Sequence, residues 1–237
     1  MAMLAELLRA KLRAVTGREK AMVFKNREHA ARLLAQRLIS YKGKNPLVLG
    51  IPRGAAPMAK IIAEALGGEM DVVLVRKLGA PGQPELAIGS VDETGRVYLA
   101  DYVTELGVGE EYIQSDIDRQ LATLRGRRAM YTPLRPPIDP SGRIVIVVDD
   151  GTATGSTMIA ALRATRAKKP AKLIGAVAVA PSETVARLRK EADEIVCLKI
   201  AADFYAVGQF FEDFSQVTDE DVVAILSGGG FETAAQR

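Results

Sequence analysis

RIVIVVDDGTATGST, residues 143–157, carries the strongest local signals in the chain. Ile144, Val145, Ile146, Val147 and Val148 form an unbroken β-branched run, which suits a strand buried on both faces of a parallel sheet. Two carboxylates, Asp149 and Asp150, follow at the strand's C-terminal end. Next comes the small-residue turn Gly151-Thr152-Ala153-Thr154-Gly155-Ser156, and a helical pattern begins at Thr157. A loop of this kind entering a helix aims several backbone N–H groups at one point, which suits a phosphate. Open α/β sheets gather ligands at the carboxyl ends of their strands, so the acids and the loop mark the candidate site.

Outward from this stretch the chain alternates strand and helix. Downstream, residues 172–180 form a second apolar run tipped by Pro181. Ser182 is placed to cap a helix reaching about Ala192, and residues 194–198 read as the last core strand. Upstream, a helix over roughly 28–41 precedes the short strand 47–50. The loop Ile51-Pro52-Arg53-Gly54 then leads to a helix that Gly67-Gly68 ends, and residues 71–75 complete a βαβ unit. Alternation of this kind predicts one α/β domain with a mostly parallel central sheet flanked by helices.

Residues 76–99 depart from the pattern. Arg76-Lys77 precedes Leu78-Gly79-Ala80-Pro81-Gly82-Gln83-Pro84, whose glycines and prolines argue against regular structure and suggest a mobile loop over 77–85. Segments 86–91 and 96–99 flank Asp92-Glu93-Thr94-Gly95 as a hairpin. Residues 109–130 read as a long polar helix whose basic side chains, like Arg27, face solvent. Residues 131–140 form a proline-rich connector, and residues 219–226 a short helix. The expected division is an N-terminal extension (1–21) bearing a short amphipathic pattern, one domain (22–227), and a disordered tail (228–237).

Composition narrows the function. The chain has 237 residues, 48% of them hydrophobic and 26% charged, with a formal net charge of +3. This describes a globular protein with a sizeable core and argues against nucleic acid as a partner. The single cysteine, Cys197, excludes an internal disulfide and a multi-cysteine metal site, and the single histidine, His29, reads as structural. Charged residues interrupt the N-terminal apolar pattern, and no run approaches the ~20 apolar residues of a membrane span. A cytoplasmic location without membrane contact is expected.

Two common phosphate loops do not fit. A P-loop requires a Gly-Lys-Ser/Thr ending, and a dinucleotide fingerprint requires glycines at its first, third and sixth positions. Neither pattern occurs here, and two acids beside a bare phosphate would repel it. A ribose 5-phosphate resolves the conflict. Its vicinal hydroxyls donate to Asp149 and Asp150 while its phosphate reaches the loop.

The stretch VVDDGTATGST resembles the 5-phosphoribosyl-1-diphosphate (PRPP) motif of type I phosphoribosyltransferases. RKLGAPGQPELAIGSVDE and FYAVGQFFEDFSQVTDEDV are similar to a subgroup of that family with no assigned acceptor, and the likeness spans roughly residues 22–227. The resemblance implies the type I phosphoribosyltransferase fold, with a hairpin or flexible loop and a small C-terminal hood. It implies phosphoribosyl transfer from PRPP to a nucleobase-like or other small nucleophile, with release of diphosphate. By the same resemblance, Asp149 and Asp150 hold the ribose hydroxyls, and Gly151, Thr152, Ala153, Thr154, Gly155 and Ser156 hold the 5′-phosphate. Arg53, Gly54, Arg76 and Lys77 face the diphosphate, with Arg53, Lys77 and the two acids serving catalysis. The 77–85 loop acts as a lid, and Tyr205 or Phe210 of the hood lies beside the acceptor. Mg²⁺ is held through substrate and water rather than by the protein alone, and a homodimer is expected. The loop carries Ala153 between two threonines and no base-specific signature, so the acceptor stays open. A non-catalytic PRPP- or nucleotide-binding regulator on the same fold is the alternative.

Overall fold

The computed structural model describes residues 24–131, 133 and 136–228. The expected N-terminal extension and residues 229–237 of the expected tail lie outside the described residues.

Five strands build the central sheet: β1 (Leu47–Gly50), β2 (Glu69–Val72), β6 (Ile144–Asp149), β7 (Lys172–Pro181) and β8 (Glu194–Ala201). Their order is β2-β1-β6-β7-β8, every neighbouring pair is parallel, and β6 lies in the middle. The β-branched run behaves as its composition requires, with Val145, Ile146, Val147 and Val148 fully buried.

Successive side chains of β6 enter opposite layers, as the two-residue period of a strand dictates. Ile146 and Val148 pack with Leu34 of α1 (Arg27–Arg37) and with Met58 and Ile62 of α2 (Ala56–Leu66). Val145 and Val147 pack with Leu162 of α4 (Ser156–Arg166) and with Leu173. Burying side chains of this size stabilises the fold by about 1.5–3 kcal/mol each. The dominant constraint on β6 is therefore packing on both faces, which holds the acids at its tip in register with β1 and β7. No described helix is long and apolar enough to cross a membrane.

A second, antiparallel sheet is formed by β3 (Val75–Ala80), β4 (Gln83–Asp92) and β5 (Val97–Leu99). The expected turn at 92–95 is present. Asp92 Oδ1 accepts from the backbone N–H of Thr94 and Arg96 and from the Thr94 hydroxyl, and Gly95 takes a left-handed φ of 86°.

The expectation of irregular structure over 77–85 is overturned. Leu78, Gly79 and Ala80 pair with β4, and the chain reverses at Pro81-Gly82, where Gly82 has φ 71°. The pairing slips on either side of Gly79. The long helix α3 (Glu110–Tyr131) satisfies the groups this slip frees. Gly79 N–H donates to Asp116 Oδ2 at 3.1 Å, and Tyr112 Oη donates to the Gly79 carbonyl at 3.1 Å. Glycine and proline were read as breakers, but a partner helix supplies the hydrogen bonds that the bulged ribbon loses.

Two smaller differences concern α5 (Ser182–Leu188), which stops short of Ala192. Pro181 holds its cap position and Ser182 is its first helical residue, so Ser182 caps nothing. The short helix near the C-terminus, α6 (Asp219–Leu226), lies where its pattern placed it, capped by Thr218.

Candidate functional site

The site assembles where β1 and β6 end side by side. The Ile51 N–H donates to the Val148 carbonyl at 3.0 Å, which lays the loop after β1 against the acids. A Cβ added at Gly54 would stand 2.3 Å from Asp150 Oδ2. Only a glycine lets this loop pass so close to the carboxylate. The peptide between Pro52 and Arg53 is cis.

Arg27, read from sequence as a solvated residue, is instead part of the site. Its Nε donates to Asp150 Oδ2 at 2.7 Å, and both side chains are nearly buried. Its Nη1 donates to the Ser215 carbonyl at 2.6 Å, and its guanidinium lies 3.8 Å over the Phe214 ring. One arginine thereby joins α1, the acids and the C-terminal segment.

The two acids differ in their support. Asp149 Oδ1 accepts the Asp150 N–H at 3.0 Å. Burial and then the neighbouring Asp150 charge push the Asp149 carboxyl well above its usual range. Burial also raises Asp150, and the Arg27 charge and hydrogen bond oppose that rise. Both carboxyls are thus pushed upward by burial, and Arg27 is hydrogen-bonded to Asp150 of the two.

The loop after the acids is tied down from behind. Gly155 takes φ 76°, and its N–H donates to Thr152 Oγ1 at 3.0 Å. Thr184 of α5 donates to the Ala153 carbonyl at 2.6 Å, and Arg187 donates to the Thr154 carbonyl at 2.7 Å. In a trans peptide the next N–H points opposite to the carbonyl, so the Thr154 N–H is turned away from α5. Gly155 at the N-cap has no side chain to cap α4, and of the first-turn amides, which lack intrahelical acceptors, Ser156 N–H reaches Thr154 Oγ1 at 3.4 Å. Loop and helix together present N–H groups to an anion.

Two clefts meet here. A cleft of about 530 Å³ is lined by Arg27, Arg53, Gly54, Asp149 and Asp150, with Val207, Phe214, Gln216 and Val217 on its C-terminal side. A second cleft of about 360 Å³ contains Arg76 and Lys77, and Pro52 and Thr157 line both. Arg53 Nη1 sits 3.5 Å from Asp219 Oδ2.

Acids, hydroxyl-rich loop, flanking glycine loop and basic ribbon coincide with a match to the family model described as a phosphoribosyl transferase domain, over residues 21–214. The chain belongs to the phosphoribosyl transferase family. A Mycobacterium tuberculosis relative named "Putative phosphoribosyl transferase Rv0571c" is 43% identical over 205 residues, covering 86% of this chain and 46% of that protein. The chain thus spans less than half the length of the curated relatives it matches. The crystal structure of TT1426 from Thermus thermophilus matches with TM-score 0.79 and 45% identity, covering 88% of this chain and all of that one.

In this phosphoribosyl transferase fold, Arg53, Gly54, Asp149 and Asp150 line the first cleft and Arg76 and Lys77 the second, whereas Ser156 of the loop lines a separate cleft with Tyr98 and Arg163. The two hood aromatics stay outside these clefts. Phe210 is 5% exposed and packs on Phe204 with ring centroids 5.4 Å apart, while Tyr205 is 89% exposed. Neither lines the cleft, because the turn at 207–210 folds Phe210 into the core and Tyr205 outward. The hood's contribution comes from Val207, Phe214, Gln216 and Val217 instead. Sequence reading also missed Arg27, Thr184 and Arg187. Their only sequence signals were a helix-start arginine and a hydroxyl in a first helical turn, neither of which names a distant partner. Arg119 and Arg127 of α3, expected to be solvated, line the second cleft.

Proposed function

We propose that the protein transfers a 5-phosphoribosyl group from PRPP to a small nucleophile, releasing diphosphate. The observation that carries this reading is the acid pair at the tip of β6, followed after a short loop by a helix whose N-cap position is the glycine Gly155. An acid pair calls for hydroxyl donors, and the helix N-terminus calls for an anion four to six residues further along the chain. A ribose 5-phosphate offers both.

In this reading Asp149 and Asp150 accept from the ribose hydroxyls, while the amides of Gly151–Gly155 and the hydroxyls of Thr152, Thr154 and Ser156 hold the 5′-phosphate. As the bond between ribose C1 and the diphosphate oxygen breaks, positive charge builds on the ring. The nearby carboxylates stabilise that charge, and Arg53, Arg76 and Lys77 stabilise the leaving diphosphate. The ribbon at 77–85 covers the site against water. The nucleophile then bonds to C1 and its proton passes to solvent.

Mg²⁺ fits the donor set. Two adjacent carboxylates are present, and among the described residues no group of three or more metal-ligating side chains occurs. A hard dication here would draw its other ligands from donor oxygens and water, and would offset diphosphate charge. A homodimer in the cytoplasm is the form proposed for the working protein.

Thermal melting with PRPP and Mg²⁺ tests the donor assignment. The ligand is expected to raise Tm, and the Asp149→Asn/Asp150→Asn variant to lose the shift. An equal shift in that variant overturns the ribose assignment. Diphosphate release across a panel of nucleobases and amines then tests transfer. Release that depends on one acceptor supports the enzyme, and PRPP binding without release from any of them supports the regulatory alternative.

A further inference from the structure

The cleft that Ser156 shares with Tyr98 and Arg163 has no part in the transfer chemistry. It encloses about 270 Å³ between the β4–β5 side of the ribbon and the helices α4 and α5. That lies just below the ~300–1,000 Å³ of drug-sized pockets, so its occupant is about one ring in size. Leu99 and Tyr102 line it while 44% and 42% exposed, and Ile159 of α4 adds to the apolar lining. Exposed apolar side chains grouped around a concavity are a feature of ligand-binding grooves.

The polar groups of the cleft await a partner. Ser90 lines it and is 7% exposed, and its hydroxyl has no hydrogen-bond partner among the described residues. A hydroxyl this shielded from water is costly to leave unpaired. No carboxylate occurs among the cleft's described lining residues. Arg163 is neutralised elsewhere, donating to both oxygens of Glu191 at 2.9 and 2.6 Å. Arg187 has neutral acceptors among the described residues, the Thr154 carbonyl at 2.7 Å and the Thr184 hydroxyl at 3.4 Å. One cation therefore lacks a counter-charge, which suits a monoanion better than a phosphate dianion.

We propose that this cleft binds a small aromatic monocarboxylate as an effector. Its carboxylate meets Arg187 and the Ser156 hydroxyl, its ring packs on Leu99, Tyr102 and Ile159, and Ser90 bonds a polar ring substituent. The cleft shares no lining residue with the two clefts of the transfer reaction. Its occupant is therefore not the acceptor, which must reach ribose C1. Coupling to the donor passes through Ser156, which belongs to the phosphate loop, and Arg187, which holds the Thr154 carbonyl. This coupling rests on the phosphate assignment of the loop, whereas binding in the cleft does not. An anion here repels the donor phosphate and competes for Arg187, so occupancy weakens donor binding.

Calorimetric titration of the full chain with benzoate and para-hydroxybenzoate tests the site. Both are expected to bind saturably, the hydroxylated probe several-fold more tightly. Acetate lacks the ring and para-hydroxybenzamide the charge, and neither is expected to bind. Arg187→Gln is expected to weaken benzoate by about tenfold or more, the scale of one charge-assisted hydrogen bond. Ser90→Ala is expected to abolish the preference for para-hydroxybenzoate, and it keeps the test open if Arg187→Gln fails to fold. Arg189→Gln, at an exposed position close by, controls for net charge. Absence of saturable binding to wild type overturns the proposal, as does full affinity in Arg187→Gln, an equal loss in Arg189→Gln, or a preserved preference in Ser90→Ala. Titrating PRPP and Mg²⁺ in the presence of benzoate reads the effector role. A fall in PRPP affinity that levels off at saturating benzoate supports it. A fall without limit places benzoate in the donor cleft and overturns the proposal, and an unchanged affinity overturns the effector role. Failure of wild type to bind PRPP while benzoate still binds strikes the transfer reading and leaves this site standing.

Discussion

Arg27 and Asp150 lie 123 residues apart in the chain and 2.7 Å apart in the fold, joined by a hydrogen-bonded ion pair almost closed to solvent. Asp150 also presses against Gly54, so three separate segments converge on one carboxylate oxygen. The ends of two strands and the start of one helix are therefore coupled through a single charge.

Removing Arg27 should expose that coupling. Arg27→Ala leaves a buried carboxylate without its cation, a change that costs about 3 kcal/mol in comparable pairs. In urea denaturation the paired variant Arg27→Met/Asp150→Asn should recover most of this loss, since neither charge is then stranded. A loss under about 0.5 kcal/mol for Arg27→Ala would show that water already shares the pair.

Asp149 should behave in the opposite way. Its folded pKa lies well above the ordinary 3.8, so the folded state binds the proton more tightly than the unfolded chain. Stability is then lost as pH rises from about 3.8 toward the folded value, where the carboxyl ionises in a desolvated place. Asp149→Asn should raise the Tm of the free protein at neutral pH and flatten that part of the stability profile. The same change should abolish the response to PRPP. A lower Tm for Asp149→Asn across the range would contradict the sign argued here.

Gly54→Ala probes the close approach of the β1 loop. Its new Cβ would stand 2.3 Å from Asp150 Oδ2, so the loop or the acid must move. Overpacking of this kind costs about 1–3 kcal/mol. The PRPP-dependent melting shift should fall with it, and unchanged melting in both states would mean that the loop has slack.

Thr184→Val keeps shape but removes the donor to the Ala153 carbonyl. A loss near about 1 kcal/mol is expected, together with weaker PRPP binding, because the peptide that aims the Thr154 N–H is no longer held. Thr184→Ser should restore both. Restoration of stability without PRPP affinity would separate folding from loop positioning.

Much of the site was legible because its signals are local. The β6 run, the acids at its tip and the small residues entering α4 are contiguous, and their spacing alone fixes which group follows which. Pro81-Gly82 and Gly79 misled for the same reason. Their local preference opposes a strand, and the opposing contribution comes from Tyr112 and Asp116 of a helix distant in sequence. Phe210 was legible as apolar, but whether an aromatic enters the core or faces a ligand depends on the packing of Phe204 around it.

The α/β alternation, the central strand, and the acids with their phosphate-type loop were written in the order of residues, since periodicity and turn chemistry act over neighbouring positions. That Arg27 serves Asp150, that α5 holds the loop, and that arginines of α3 face Arg76 across a cleft followed from the packed fold alone. Those relations arise when two-sided burial of β6 brings remote segments together, and a charge in a desolvated cleft is governed by the side chains that packing sets beside it.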